Sequence, residues 1–441
     1  MRVLVTTYHP WRTDLSTGNT LANLFNGMQG QLEFAQIFFR EGTPSNAFGD
    51  TCFAISEREL AKSIITRKPV GTVFHVDQCH VSSSPNEGLS FAYNAARQLR
   101  WDSLLLVQDC IGALGKWRSN RLYKFVEEFE PDILFSPSTR APVINALLVD
   151  LAKRYSLPLF LYAWDDIFTL DKKRLSPFYR MRMALERKGI AKSADYASTI
   201  YTITPELGEL CKRDFGKDYK VVRKGYRFDN RPDYTAHAGT IRMLYAGNIG
   251  AQRWRVLAEL VKALNIIGPT AFRLDIFTHN AVSAKMREAL NSRCSELHPG
   301  VPANCLPALF DQCDVLVHVE ATDEAERERC RYSFSTKIVD YLHAGRCVLS
   351  VGGPTTATNY LRDNDAAIVV NEMTALPEVL RDIASDRKLL AAYARKSWNC
   401  GKANHDIRQM QSVILGDFRD AASMEKPTCA NKGDTNDHLL K

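Results

Sequence analysis

Arg253, Lys337 and Asp340 form the charge pattern from which a binding chemistry can be argued. Lys337 and Asp340 stand three apart in the stretch Phe334 to Gly353. That stretch reads as a helix opened by Ser335 and ended by Gly345, then a buried strand, Val348 to Val351, then the glycine loop Gly352-Gly353-Pro354. Residues three apart leave a helix on nearly the same side. This cation and anion are therefore either a surface pair, worth little, or part of a small binding site. Gly247-Asn248-Ile249-Gly250 follows a strand-like run, Ile241 to Tyr245, and leads into a helix from Arg253 to Leu264. Glycines let a ligand approach the backbone, and helix-start N–H groups suit phosphate. Arg253 and Lys337 would neutralise a diphosphate, the guanidinium offering a fork of donors. Asp340 would accept from two vicinal hydroxyls of a ribose. These residue types in this order fit a nucleotide-like ligand.

The remaining candidates each have two readings. Gly18, in Thr17-Gly18-Asn19-Thr20, sits in a loop before a helix expected from Thr20 to Met28. It either meets an anion or sugar hydroxyl or makes a simple turn. Asp165 and Asp166 lie just past a strand end, where open α/β sheets place ligands, and either touch an acceptor or cap the next segment. His9 follows the first strand and either approaches a sugar or is structural. His318 lies on a strand ending near the cleft and either contacts the ligand or packs in the core. Gly353 either turns the chain or touches phosphate or sugar. No histidine or cysteine spacing argues for a metal site.

The elements that must position these groups alternate. Strands are expected at residues 2–7, 32–39, 133–136, 157–162 and 198–204, with Ser103 to Val107 also strand-like. Helices are expected at 57–66, 116–129, 141–155 and 205–213, and Asn94 to Leu99 belongs to another. Polar residues 227–240 mark a boundary. The pattern then repeats through strands at 241–245, 272–277, 314–319, 348–351 and 366–370, with helices at 283–290, 376–383 and 388–398. Alternation of this kind predicts α/β architecture with parallel sheets covered on both faces. The expected division is 1–226, a linker at 227–240, 241–395, a helix at 396–420 that returns to the first domain, and a disordered tail from 421.

Composition narrows the class. A length of 441 residues exceeds one ordinary core and favours two domains. No run of eighteen apolar residues occurs, and Met1 leads directly into Val3-Leu4-Val5, which points to the cytoplasm. The net charge of +7 is mild for this length; it favours a phosphorylated ligand or an anionic surface. No basic block with interleaved aromatics argues for nucleic acid. Residues 176–192 form a basic helix that either touches an anionic membrane or presents a solvated face.

The segment Ser335-Thr336-Lys337-Ile338-Val339-Asp340-Tyr341-Leu342-His343-Ala344-Gly345-Arg346-Cys347-Val348-Leu349 resembles the donor-site motif of family 4-like (group 1) glycosyltransferases of the GT-B fold. Gly247 to Gly250 with Arg253 resembles that family's glycine loop and diphosphate-binding base. Thr204-Pro205-Glu206-Leu207 through Lys224-Gly225 resembles the last unit of its first domain. The resemblance implies two Rossmann-like domains facing across a cleft. It implies metal-independent transfer of a sugar, with retention, from a UDP- or GDP-linked donor to a saccharide or lipid-linked acceptor in polysaccharide or glycoconjugate synthesis, at the inner face of a membrane. Implied roles are Arg253 and Lys337 at the diphosphate, as catalytic groups, and Asp340 at the ribose. Gly18, Gly247, Asn248, Gly250, His318 and Gly353 would lie around the donor, and His9, Asp165 and Asp166 on the acceptor side. Two departures stand out. Tyr332 occupies the place of the usual first acid, and Arg253 that of the usual lysine. The charged run 323–331 reads as a solvated loop or helix, or as a segment that closes over the donor. An epimerase, or a non-catalytic nucleotide-sugar-binding protein of the same fold, is the alternative.

Overall fold

A computed structural model of the chain describes residues 1–12, 16–45, 48–49, 51–76, 102–170 and 175–423. The first sheet contains β1 (Arg2–Thr7), β2 (Glu33–Phe38), β3 (Thr51–Ala54), β4 (Thr72–His75), β5 (Ile133–Pro137), β6 (Leu159–Ala163), β7 (Ala197–Thr202) and β8 (Tyr219–Val221). Its order is β4-β3-β2-β1-β5-β6-β7-β8, parallel except where β4 turns back on β3. The second sheet contains β9 (Ile241–Ala246), β10 (Phe272–Thr278), β11 (Ser295–Pro299), β12 (Val315–Val319), β13 (Cys347–Val351) and β14 (Ile368–Val370). It is wholly parallel, in the order β11-β10-β9-β12-β13-β14. The strands β5, β6, β12 and β13 are buried at every residue, which is why they read as apolar runs without alternation. Helices flank both sheets, and the result is two Rossmann-like lobes, a GT-B-like α/β fold. Each sheet reverses its strand order once, between β1 and β5 and between β9 and β12. Crevices open at such points.

The chain leaves the second lobe at its end. Helix Arg387–Asn404 packs on helix Thr336–Ala344 and on β13. Near the crossing, the Tyr226 amide donates to the His405 carbonyl at 3.1 Å and the Ile407 amide to the Tyr226 carbonyl at 3.0 Å. Helix Ile407–Ser423 then lies on helix Ser16–Phe25. Phe418 is fully buried, 4.8 Å from the Phe160 ring and 6.2 Å from Phe135. Truncating it opens a cavity under the first sheet. Phe418→Ala is expected to cost about 3–5 kcal/mol in denaturant unfolding. A cost below about 1 kcal/mol, the range of ordinary surface changes, would show that this helix adds little to the fold.

Several local expectations are corrected. Ser103 to Val107 is not a strand but part of helix Asp102–Leu114. An unbroken apolar run does not reveal its period, and here Leu104 and Val107 are left exposed on the outer side. The first helix is Ser16–Phe25, so Gly18 lies in its opening turn rather than in a loop. The Trp11 indole donates to the Gly18 carbonyl at 3.0 Å, a tie that local pattern does not contain. The helix expected from Lys116 starts at Asn120, where the Ser119 hydroxyl accepts from the Leu122 amide at 3.1 Å. Helix Ile407–Ser423 carries order past 421. Asn94 to Leu99 and the tail beyond Ser423 lie outside the described residues.

Candidate functional site

A pocket of about 140 Å³ opens where β9 and β12 part. Three chain segments build it. The turn after β9 brings Asn248 and Arg253; the end of β12 brings His318, Val319 and Glu320; Cys330 to Ser335 and the helix behind them bring Ser333, Ser335 and Lys337. The turn is tightly held. The Gly247 amide donates to Phe277, the Ile249 amide to the Asn280 side chain, and the Gly250 amide to the Asn248 side chain at 2.6 Å. Ala251 and Gln252 then adopt left-handed backbone angles, φ 51° and 61°, before helix Arg253–Ile267 begins. Non-glycine residues held this way store strain, and such strain gathers at ligand sites. Gly247 is needed for another reason. A Cβ there would overlap the Lys337 ammonium, which lies against the turn and 5.0 Å from the Tyr245 ring centre.

Ser335 is the residue expected to cap the next helix. It occupies the N-cap position of helix Thr336–Ala344, but its hydroxyl makes no capping bond. The amide end of that helix therefore faces the pocket without a side-chain cap.

The charges in the pocket are arranged around one buried acid. Arg253 donates to the Val319 carbonyl at 3.2 Å and to Glu320 Oε2 at 3.1 Å. His318 Nε2 lies 3.3 Å from Glu320 Oε1, an ion-pair distance without hydrogen-bond alignment, while Nδ1 contacts the Ser350 hydroxyl at 3.0 Å. Burial alone would raise the Glu320 carboxyl. The neighbouring His318 and the Arg253 guanidinium outweigh it and hold the group below its ordinary value. Burial, then the like charge of Arg253, pushes the Lys337 ammonium down to about 8, with Glu320 and Asp340 pulling the other way. Two cations thus face one carboxylate, leaving net positive charge for an anion.

The other expected site residues fall in different places. Asp340 does not line the pocket. One turn along from Lys337, its Oδ1 accepts from Lys224 Nζ at 2.5 Å and from the Tyr226 hydroxyl at 2.6 Å. Gly353 lies at the end of β13, under the Arg327 side chain. Asp165 accepts from the Ser333 hydroxyl at 2.6 Å and so joins the first lobe to the pocket wall. Burial pushes its carboxyl up, while the hydrogen bond from Ser333 pulls the other way. Asp166 accepts from the Phe168 and Thr169 amides at 3.2 and 2.9 Å, the capping alternative. His9 sits beyond β1 near Arg40, 3.3 Å from its guanidinium. Glu320 is not among the residues that the sequence pattern singles out; a carboxylate just past a buried strand at a strand-order reversal is the signal that points to it.

Among the described residues, one group has metal-like geometry: Asp275, Glu296 and His298 on β10 and β11. None of them lines the pocket. Arg273 already touches both carboxylates, and His298 Nε2 lies 2.9 Å from Asp275, so internal charges occupy the cluster.

No family model matches the sequence, and no curated protein matches it. The fold does match solved structures along nearly its whole length. A glycosyltransferase from Rickettsia africae ESF-5 aligns with TM-score 0.58 and 11% identity, over 96% of this chain and 99% of that one. An alpha,alpha-trehalose-phosphate synthase (UDP-forming) from Burkholderia xenovorans, in complex with glucose-6-phosphate, aligns with TM-score 0.57 and 9% identity, over 95% and 100%. TarM aligns with TM-score 0.59 and 10% identity, over 95% and 98%. At such identities the likeness defines the class by fold: this is a GT-B-fold chain.

Proposed function

We propose that the protein is a retaining glycosyltransferase that moves a sugar from a nucleotide-sugar donor to an acceptor hydroxyl. The observation that carries this reading is the convergence of Arg253 and Lys337 in one pocket at the strand-order reversal of the second sheet. The names of structurally similar proteins support it. In the proposed reaction the bond from the sugar's anomeric carbon to the diphosphate breaks, and a bond to the acceptor oxygen forms on the same face. The acceptor proton passes to the departing phosphate. Negative charge grows on the leaving diphosphate, and the two cations stabilise it there more than in the ground state. The lobe made of β1 to β8 would hold the acceptor, with Asp165 at the contact between lobes. Closure excludes water that would hydrolyse the donor.

Membrane contact is part of the proposal. No helix among the described residues is long and apolar enough to cross a membrane. Leu104, Val107 and Leu114 on one helix, with Leu175, Phe178 and Met181 at the start of its packed neighbour Pro177–Tyr196, are exposed. Arg180, Lys188 and Lys192 are exposed on the second helix. Apolar side chains beside cations suit an anionic bilayer surface and would bring the enzyme to a lipid-linked acceptor.

A scan of UDP- and GDP-sugars for binding, then for turnover with saccharide acceptors, tests the function. Turnover without an acceptor would favour epimerase chemistry instead; binding without any turnover would favour a non-catalytic module. The ribose contact has its own test. Lys224 and Tyr226 hold Asp340 in place in the free protein, and the same carboxylate would accept from ribose hydroxyls. Asp340→Ala is expected to weaken nucleoside diphosphate binding by about tenfold, one charge-assisted hydrogen bond's worth. Unchanged affinity would reject the ribose role.

A further inference from the structure

Helix Glu324–Arg329, capped by the Asp323 side chain, precedes the pocket wall and belongs to the run that reads in sequence as solvated. Its neighbourhood holds three arginines, and they are not alike. Arg329 pairs with Glu326 at 2.7 Å and Arg331 with Glu328 at 3.2 Å, each three residues back. Arg327 is half-buried, with its Nε turned inward. Among the described residues no carboxylate or carbonyl accepts from its guanidinium, and its Nε is buried with no partner. An N–H buried without a partner costs stability, and the guanidinium it belongs to has no counter-charge among the described residues, so the arrangement favours an anion that arrives from outside.

The location says where that anion would lie. Arg327 lies over Gly353, where an added Cβ would press on its side chain and come within 3.1 Å of Nε. Only glycine lets the guanidinium settle at the carboxyl end of β13, beside β12, whose end carries Glu320. Cys330, three residues on, lines the pocket itself. We propose that Arg327 is a third cationic contact for the donor, its guanidinium binding an anionic oxygen group that extends from the pocket toward Gly353. That group is either the distal phosphate or a carboxylate on the transferred sugar. This rests on the nucleotide-sugar reading above.

Arg327→Met separates the outcomes. It keeps the length of the side chain and removes the unpaired buried N–H, so its melting temperature is expected to equal or exceed that of the unmodified chain. Calorimetric titration would compare UDP, GDP, UDP-glucose and UDP-glucuronate on both full-length chains. A contact with phosphate predicts about 10- to 100-fold weaker binding of the nucleoside diphosphate itself. A contact with a sugar carboxylate predicts the same loss for UDP-glucuronate alone. Equal affinity for every ligand that the unmodified chain binds would overturn the proposal. So would a lower melting temperature with equal affinities, the mark of a structural arginine. Should Arg327→Met not fold, Arg327→Gln is read by the same affinities. Failure of the unmodified chain to bind any of the four strikes the glycosyltransferase reading, not Arg327 alone.

Discussion

Lys337→Gln is expected to lower kcat/KM for the nucleotide-sugar donor by about 10²- to 10³-fold, the usual cost of one preorganised group facing developing charge. The loss should fall mainly on kcat, because the ammonium meets more negative charge as the diphosphate departs than before. Stability should move the other way. In the folded chain burial and Arg253 hold the Lys337 pKa at about 8, below its value in the unfolded chain. The charged form is thus disfavoured by folding. That penalty is present in full below about pH 8 and disappears as pH rises toward the unfolded value. Glutamine carries no such penalty, so the variant should melt at the same temperature or higher at pH 7. Thermal unfolding and steady-state kinetics on one preparation check both halves. Equal kcat/KM would remove Lys337 from the mechanism; a large fall in melting temperature would assign it to the fold.

The fold was legible because its strands advertise themselves. Runs such as Val315–Val319 and Cys347–Val351 are apolar but for His318 and Ser350 and show no in-out alternation, as strands covered on both faces should. Thr204 and Pro205 mark a helix start that the structure contains, with the Thr204 hydroxyl accepting from the Leu207 amide at 3.2 Å. The short strands β3, β4, β8 and β11, at or next to a sheet margin, are not evident in the sequence, since three to five partnered residues leave little periodicity to detect. The candidate site was legible in part. Arg253 and Lys337 each stand beside a glycine turn or a helix start, and local features of that kind survive in one dimension. What was not legible is partnership across the chain. Asp340 meets Lys224 and Tyr226 more than a hundred positions away. Glu320 meets Arg253 only because β9 and β12 are neighbours at the reversal of strand order. The inward turn of Arg327, against the outward pairing of Arg329 and Arg331, likewise needs Gly353 to be brought beside it.

The same lysine makes nucleotide binding depend on pH above neutrality, and the Cys330 thiol, pushed up by burial, acts in the same direction only at higher pH. Arg253 stays charged at any working pH. Glu320 is held below the ordinary carboxylate range and stays ionised above neutrality. A phosphate group with its second pKa near 6 is fully ionised by pH 7 or so. Affinity for a nucleoside diphosphate should therefore be level from about pH 7 to just below 8. It should then fall by about tenfold per unit while free Lys337 loses its proton and the bound form keeps it. The complex holds the proton because the diphosphate supplies the negative charge that burial withheld. At pH 8 binding should draw up about half a proton, readable by calorimetry in buffers of different ionisation enthalpy. In Lys337→Gln both the slope and the uptake should vanish, leaving weaker but pH-independent binding. An affinity that stays level from pH 7 to 9.5 in the unmodified chain would mean that the ammonium does not face the bound phosphates. Arg253 would then be the one cation of the pair to do so.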